Sequence, residues 1–241
     1  MSRSFRSTVE CYDCRQQVTD LKAHRSVCVK HKATTMECYD CHQQVTDLKN
    51  HRKICLRKDV VVMADNTKDV YFLIDVSGSM AGFKLDQSKE TVTSIFSDMN
   101  EKDRLAIVAF DSGAFFKLRP RPVGQVRRQN ELPELLSKMF AKGNTAIYDA
   151  IWISVEQIQD KNRSTLMIVI TDGEDNSSKH TLAEVMKMIS EYPKIQLDIV
   201  QIDSQRNPNY EQLAQGRGSY SVIQEIEIQT TVKKIVTKYY A

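Results

Sequence analysis

The stretch Asp69-Val-Tyr-Phe-Leu-Ile-Asp75-Val-Ser-Gly-Ser-Met80 decides the fold. Val70 to Ile74 is an unbroken apolar run set between two acids. A strand with one wet face alternates apolar and polar residues; a strand covered on both faces does not. Residues 69–75 therefore read as a central strand, with a Ser-Gly-Ser turn leaving its carboxyl end. The same grammar continues outward. Residues 81–100 read as a helix with Leu85, Val92, Ile95, Phe96 and Met99 inward, 104–110 as a strand, and 115–120 as an edge strand stopped by proline. Residues 131–140 and 145–159 read as helices, 164–172 as a second buried strand, and 181–192 as a helix closed by Pro193. A strand over 195–203, a short helix over 209–215, a strand over 219–224 and a helix over 232–240 complete the pattern. Apolar strands alternating with helices predict an α/β fold: a doubly wound, mostly parallel six-stranded sheet flanked by helices.

Such sheets bind ligands beyond the carboxyl ends of their strands. Three of those ends carry oxygen donors: Asp75, Ser77 and Ser79 after the first strand, Thr145 before the long helix, and Asp172 after the strand 164–172. Two carboxylates and three hydroxyls make an all-oxygen set suited to one hard divalent cation: Mg²⁺, with Mn²⁺ or Ca²⁺ as alternatives. Singly, each residue has an ordinary role, since a Ser-Gly-Ser turn starts helices and an Asp at a strand end caps them. The metal reading comes from their joint placement at three strand–helix junctions. Glu174 and Asp175 read as solvated loop charges, and Asp111 and Asp149 as turn and helix-start acids.

DVSGSM (75–80), the isolated Thr145 before an amphipathic helix, and TDGED (171–175) resemble a von Willebrand factor type A domain. They are similar to its metal-ion-dependent adhesion site, an Asp-x-Ser-x-Ser…Thr…Asp pattern, and the resemblance covers about residues 67–241. It implies a bound Mg²⁺, with Ser77, Ser79 and Thr145 supplying hydroxyl oxygens and Asp75 and Asp172 acting through bound waters. A partner's Asp or Glu then completes the coordination. Neutral hydroxyls leave much of the ion's charge uncompensated, so an incoming carboxylate gains strongly from ligation.

The first 58 residues have a different composition. They hold all six cysteines and none of the eight glycines, and 12 basic against 6 acidic residues. CYDCRQQVTDLKAHRSVC (11–28) recurs as CYDCHQQVTDLKNHRKIC (38–55), identical at 14 of 18 positions. Pieces this short need a staple to fold. The pattern is Cys-x2-Cys-x9-His-x3-Cys, with the His and last Cys one helical turn apart. It predicts two structural zinc ions, one on Cys11, Cys14, His24 and Cys28 and one on Cys38, Cys41, His51 and Cys55. Each unit reads as a short turn or hairpin followed by one helix. Three cysteines per repeat do not pair within a repeat, which argues against disulfides. His31 and His42 fall outside the ligand pattern and read as surface residues. The expected organisation is zinc finger 1 over 8–32, zinc finger 2 over 35–58, a linker over 59–67, and the large domain over 68–241.

The function of the fingers stays open between readings. Their Cys-Cys-His-Cys order resembles small ubiquitin-binding zinc fingers. Lys22, Arg25, Lys49, Arg52 and Lys53 offer phosphate contacts, so a nucleic-acid-associated protein is the alternative. A purely structural role is the third. Catalysis reads poorly. A Mg²⁺-dependent phosphotransferase with Asp75 as nucleophile wants a second carboxylate two residues on, where Ser77 stands. Ser79 lacks the Gly-x-Ser-x-Gly elbow, a phosphate-binding glycine loop is missing, and His180 is the one histidine of the large domain. No apolar run approaches the roughly 18–20 residues of a membrane span, and no apolar stretch follows the basic N-terminus. The expectation is a non-catalytic intracellular adaptor, cytoplasmic or nuclear, that presents a metal-dependent site to an acidic protein partner and its fingers to a second partner.

Overall fold

The computed structural model describes residues 67–203 and 205–241, with four two-residue strands nearer the N-terminus. The chain divides between Asp65 and Asn66 into two compact units. In the first, Val9–Glu10 pairs antiparallel with Gln17–Val18, and Met36–Glu37 with Gln44–Val45. The register repeats at the offset of the sequence repeat, and in sequence each hairpin brackets one Cys-x2-Cys. The helices expected after them and the expected zinc ligands Cys11, Cys14, His24, Cys28, Cys38, Cys41, His51 and Cys55 lie outside the described residues.

The second unit has six strands: β1 (Asp69–Asp75), β2 (Arg104–Phe110), β3 (Ala114–Pro122), β4 (Thr165–Thr171), β5 (Ile195–Ile202) and β6 (Tyr220–Ile223). Its helices are α1 (Phe83–Asp98), α2 (Val123–Gln129), α3 (Leu132–Ser137), α4 (Ile147–Glu156), α5 (Leu182–Ser190), α6 (Pro208–Ala214) and α7 (Ile228–Tyr240). The strand order is β6-β5-β4-β1-β2-β3, and every neighbouring pair is parallel except β2 with β3. The expected doubly wound sheet is therefore present.

Side chains of a strand alternate between faces. Val70, Phe72 and Ile74 of β1 pack with Val92 and Ile95 of α1 and Val232 and Ile235 of α7. Tyr71 and Leu73 pack on the other face with Ile147 and Ile151 of α4, Val185 of α5 and Leu213 of α6. Both faces are covered, which is why these strands read as continuous apolar runs. Each fully buried Leu, Ile or Phe stabilises the fold by about 1.5–3 kcal/mol, and that scaffold carries a polar rim.

The winding reverses in the middle of the sheet. The chain starts at β1, steps to β2 and β3 on one side, then crosses back to β4, β5 and β6 on the other. The loops leaving β1 and β4 diverge to opposite faces and open a crevice between them. Asp75 ends β1, and Asp172 follows β4.

Three details depart from expectation. β3 runs through Pro120 to Pro122 instead of stopping. It is the outermost strand, its register slips twice against β2, and Pro120 falls outside the paired positions, so the missing N–H costs no ladder bond. α2 is a helix the sequence pattern did not announce, since Pro122 and Gly124 mask its period, although Val123 and Val126 bury. The long helix starts at Ile147 rather than Thr145, which leaves Thr145 on the preceding loop.

Candidate metal centre

β1 delivers Asp75 fully buried at the head of the crevice. Its Oδ1 accepts the Ser77 amide N–H at 2.7 Å, and its Oδ2 accepts the Thr171 hydroxyl, at the end of β4, at 2.6 Å. Both donors are neutral. Burial pushes the Asp75 carboxyl up to about 6; the hydrogen bonds from Thr171 and Ser77 oppose the rise, and the neighbouring Asp172 charge adds to it.

A 3-10 turn over Gly78–Met80 follows. It brings the Ser77 and Ser79 hydroxyls within 3.2 Å of each other. The Ser79 hydroxyl donates to Asp172 Oδ1 at 2.7 Å, and Lys84 Nζ, in the first turn of α1, donates to Asp172 Oδ2 at 2.8 Å. Two backbone bonds tie this loop to the next: Lys142 N to Val76 O at 2.7 Å and Gly78 N to Gly143 O at 3.1 Å. Gly143 has φ +71°, and a Cβ there would meet the Ser112 hydroxyl at 2.8 Å, so the position demands glycine twice over.

Thr145 is buried and clamped by one residue. Its N–H donates to Asn176 Oδ1 at 2.9 Å and its carbonyl accepts Asn176 N–H at 3.0 Å. A Cβ on Gly173 would lie 3.3 Å from Thr145 Oγ1, so the threonine hydroxyl reaches the loop that carries Asp172. The buried Tyr210 of α6 donates its hydroxyl to the Gly173 carbonyl at 3.0 Å.

The acidic loop is more tied down than its sequence suggests. Asp175 is not the solvated charge expected: it accepts Tyr148 N–H at 3.1 Å, one of the amide donors left by the start of α4, and Ser178 N–H of its own loop at 3.3 Å. Glu174 stays exposed. Asp111 accepts Gly113 N–H at 3.2 Å, as a turn acid does. Asp149, in the first turn of α4, accepts the backbone N–H groups of Lys179 and His180 at 3.1 Å. Burial raises its carboxyl, but the hydrogen bonds from His180 and Lys179 outweigh that and hold it below the usual range. His180 Nδ1 lies 2.7 Å from Asp149 Oδ1, and its ring stacks on Trp152 at 4.0 Å.

The donor set fits a hard divalent ion. The 3.2 Å separation of the Ser77 and Ser79 hydroxyl oxygens is close to the roughly 3 Å edge of an octahedron with bonds of about 2.1 Å, and Asp172 Oδ1 stands behind them at hydrogen-bond distance from Ser79. Among the described residues no three His, Cys, Asp or Glu side chains group as a metal cage; the convergence is of hydroxyls with two carboxylates. Asp75, Ser77, Ser79 and Asp172 are linked by direct contacts or through Thr171, and Thr145 joins them across Gly173. Sequence reasoning missed Lys84, Thr171 and Asn176. Thr171 opens TDGED at the end of β4 and Asn176 directly follows it, so both are findable as polar groups at the strand end, whereas Lys84 carries no signal beyond its place in a polar helix face.

The sequence profile of the von Willebrand factor type A domain matches residues 69–237. Inter-alpha-trypsin inhibitor heavy chain H4 of Sus scrofa is 28% identical over 132 residues, which is 52% of this chain and 14% of that protein. The chain thus spans about one seventh of that relative's length. Among solved structures, a von Willebrand factor type A protein from Catenulispora acidiphila superposes with a TM-score of 0.63 at 19% identity, covering 72% of this chain and 42% of the other. Proximal thread matrix protein 1 from the mussel byssus, with a zinc-occupied metal-ion-dependent adhesion motif, superposes with a TM-score of 0.58 at 16% identity, covering 70% and 47%. At these identities the two structures speak for the fold. No helix of the described residues is long and apolar enough to cross a membrane.

Proposed function

The chain belongs to the von Willebrand factor type A domain family, and on that premise we propose that it is a non-catalytic protein-binding module whose rim holds a divalent ion and takes an acidic side chain from its partner. The observation that carries the reading is Asp75. It is a fully buried carboxyl met only by neutral donors, one loop away from a second carboxylate and three hydroxyls. A divalent ion relieves the cost of that buried charge. Mg²⁺ is the proposed occupant, with Mn²⁺ or Ca²⁺ as substitutes. The zinc-occupied motif of the byssus protein supports a divalent ion at such a rim. Ser77, Ser79 and Thr145 would ligate through hydroxyls, with Asp75 and Asp172 behind them.

The N-terminal repeats supply the second half of the proposal. Zinc on the two Cys-Cys-His-Cys sets would make them a second protein-binding module over 8–32 and 35–58, joined through 59–67 to the large domain at 68–241. The spacing of cysteines and histidines supports it and suits a reducing, intracellular setting. Two modules on one chain raise the effective concentration of the second contact, which is how an adaptor gains avidity.

The test is affinity purification with wild type, Asp75→Ala/Asp172→Ala and Cys14→Ser/Cys41→Ser, each with Mg²⁺ or chelator. One group of partners should disappear with chelator and with the aspartate variant, and another with the cysteine variant. Partners retained at the rim without Mg²⁺ and without both aspartates would overturn the reading.

A further inference from the structure

Lys84 stands in the first turn of α1, just beyond the serine turn. Its Nζ lies 2.8 Å from Asp172 Oδ2 and 4.0 Å from Asp203 Oδ2. Asp172 is almost wholly buried, with a side chain 2% exposed, while the Asp203 side chain is 30% exposed. Asp203 follows β5 at φ +52°, and its N–H is held by the Ile223 carbonyl at 2.9 Å. One ammonium therefore spans the acids at the ends of two adjacent strands. It also divides the oxygens of Asp172: Oδ1 faces the Ser79 hydroxyl and the rim, and Oδ2 faces Lys84.

We propose that Lys84 is a tethered cation that shares Asp172 with the divalent ion, so that the ion binds weakly alone and tightly together with an acidic partner. The inference rests on the metal-dependent reading above. Two carboxylates neutralise a divalent ion, so a rim without Lys84 would be satisfied by metal alone. The ammonium adds one positive charge, and the neutral state now needs one more carboxylate. Asp203 offsets this only in part, since it stands farther off and water screens it. Lys84 thus moves neutrality from the ion-only state to the ion-plus-partner state. By linkage, each ligand then raises the affinity for the other. Lys84 is a positioning and charge-setting residue, not a ligand.

The test titrates the full chain with Mn²⁺, reading free Mn²⁺ by electron paramagnetic resonance, with acetate or matched chloride as background. Lys84→Met keeps the aliphatic stem and removes the charge. It should tighten Mn²⁺ about tenfold, the order expected from removing one like charge near a divalent ion in a wet site. It should also abolish the extra tightening that acetate gives wild type. Lys84→Arg should behave as wild type. Asp203→Asn, which suits the left-handed backbone, leaves the ammonium to Asp172 alone and should weaken Mn²⁺ about twofold to threefold by the same Coulomb reasoning. Unchanged or weaker Mn²⁺ binding in Lys84→Met would overturn the inference and leave the metal site standing. Wild type showing no Mn²⁺ binding that Asp75→Asn removes would overturn both.

Discussion

β1 begins and ends in an aspartate, and both are buried, Asp69 at 1% exposure and Asp75 at 0%. At the amino end, Arg163 Nε reaches Asp69 Oδ1 at 3.0 Å and Arg104 Nη1 reaches Asp69 Oδ2 at 3.5 Å. At the carboxyl end, Asp75 meets an amide and a hydroxyl. The same residue type on one strand, equally buried, is compensated at one end and left wanting positive charge at the other. A buried acid with its own arginines is architecture. A buried acid surrounded by neutral donors asks for a cation from outside, and it lies where the strand order reverses.

The sharpest break of that comparison is to neutralise each acid in turn. Asp69→Asn strands two guanidiniums that are about one-fifth exposed, and we expect a loss of about 3 kcal/mol in urea unfolding. Asp75→Asn in chelator should cost under about 1 kcal/mol or stabilise, because it removes an uncompensated buried charge. It should also erase the rise in melting temperature that Mg²⁺ gives wild type. Equal destabilisation by the two changes would show the ends to be alike.

The pH dependence sharpens the same contrast. Asp75 has its carboxyl raised to about 6 by burial, so the fold favours its protonated form. The Asp75 contribution to stability in chelator is therefore fully present below the unfolded value near 3.8 and is lost as pH rises through about 6. The full loss is about 3 kcal/mol at 1.36 kcal/mol per unit. Saturating Mg²⁺ should flatten this slope, and Asp75→Asn should lack it. Urea midpoints between pH 4 and 7 measure all three.

A smaller effect comes from the joint between the first two loops. Gly143→Ala forces a side chain onto φ +71° and against Ser112, costing about 1–2 kcal/mol. It should also weaken Mn²⁺ binding, since the Gly143 carbonyl holds Gly78. A stability loss with unchanged metal affinity would separate that joint from the rim.

The fold and the donor set were legible for one reason: both sit in runs. Val70–Ile74 and Leu166–Ile170 are apolar without interruption, and Asp75 and Asp172 fall at or beside their strand ends. What escaped was assembled across distance. Asp69, Arg104 and Arg163 meet only once the sheet has formed, and nothing in a polar helix face marks Lys84 as the partner of Asp172. Asp175 reads as an exposed charge until the Tyr148 amide of α4 and Ser178 are placed beside it. The edge strand passed Pro120 because only an outermost strand spares the N–H that proline lacks.

That outermost strand has a consequence for how the protein behaves in concentrated solution. Lys117, Arg119 and Arg121 recur at every second position of β3, with Pro120 and Pro122 between and after them. Like charges and missing donors make a poor template for another chain. The opposite margin of the sheet is the four-residue β6, a short edge that offers little backbone to another strand. Both margins of this sheet are therefore poor starting points for strand-by-strand growth.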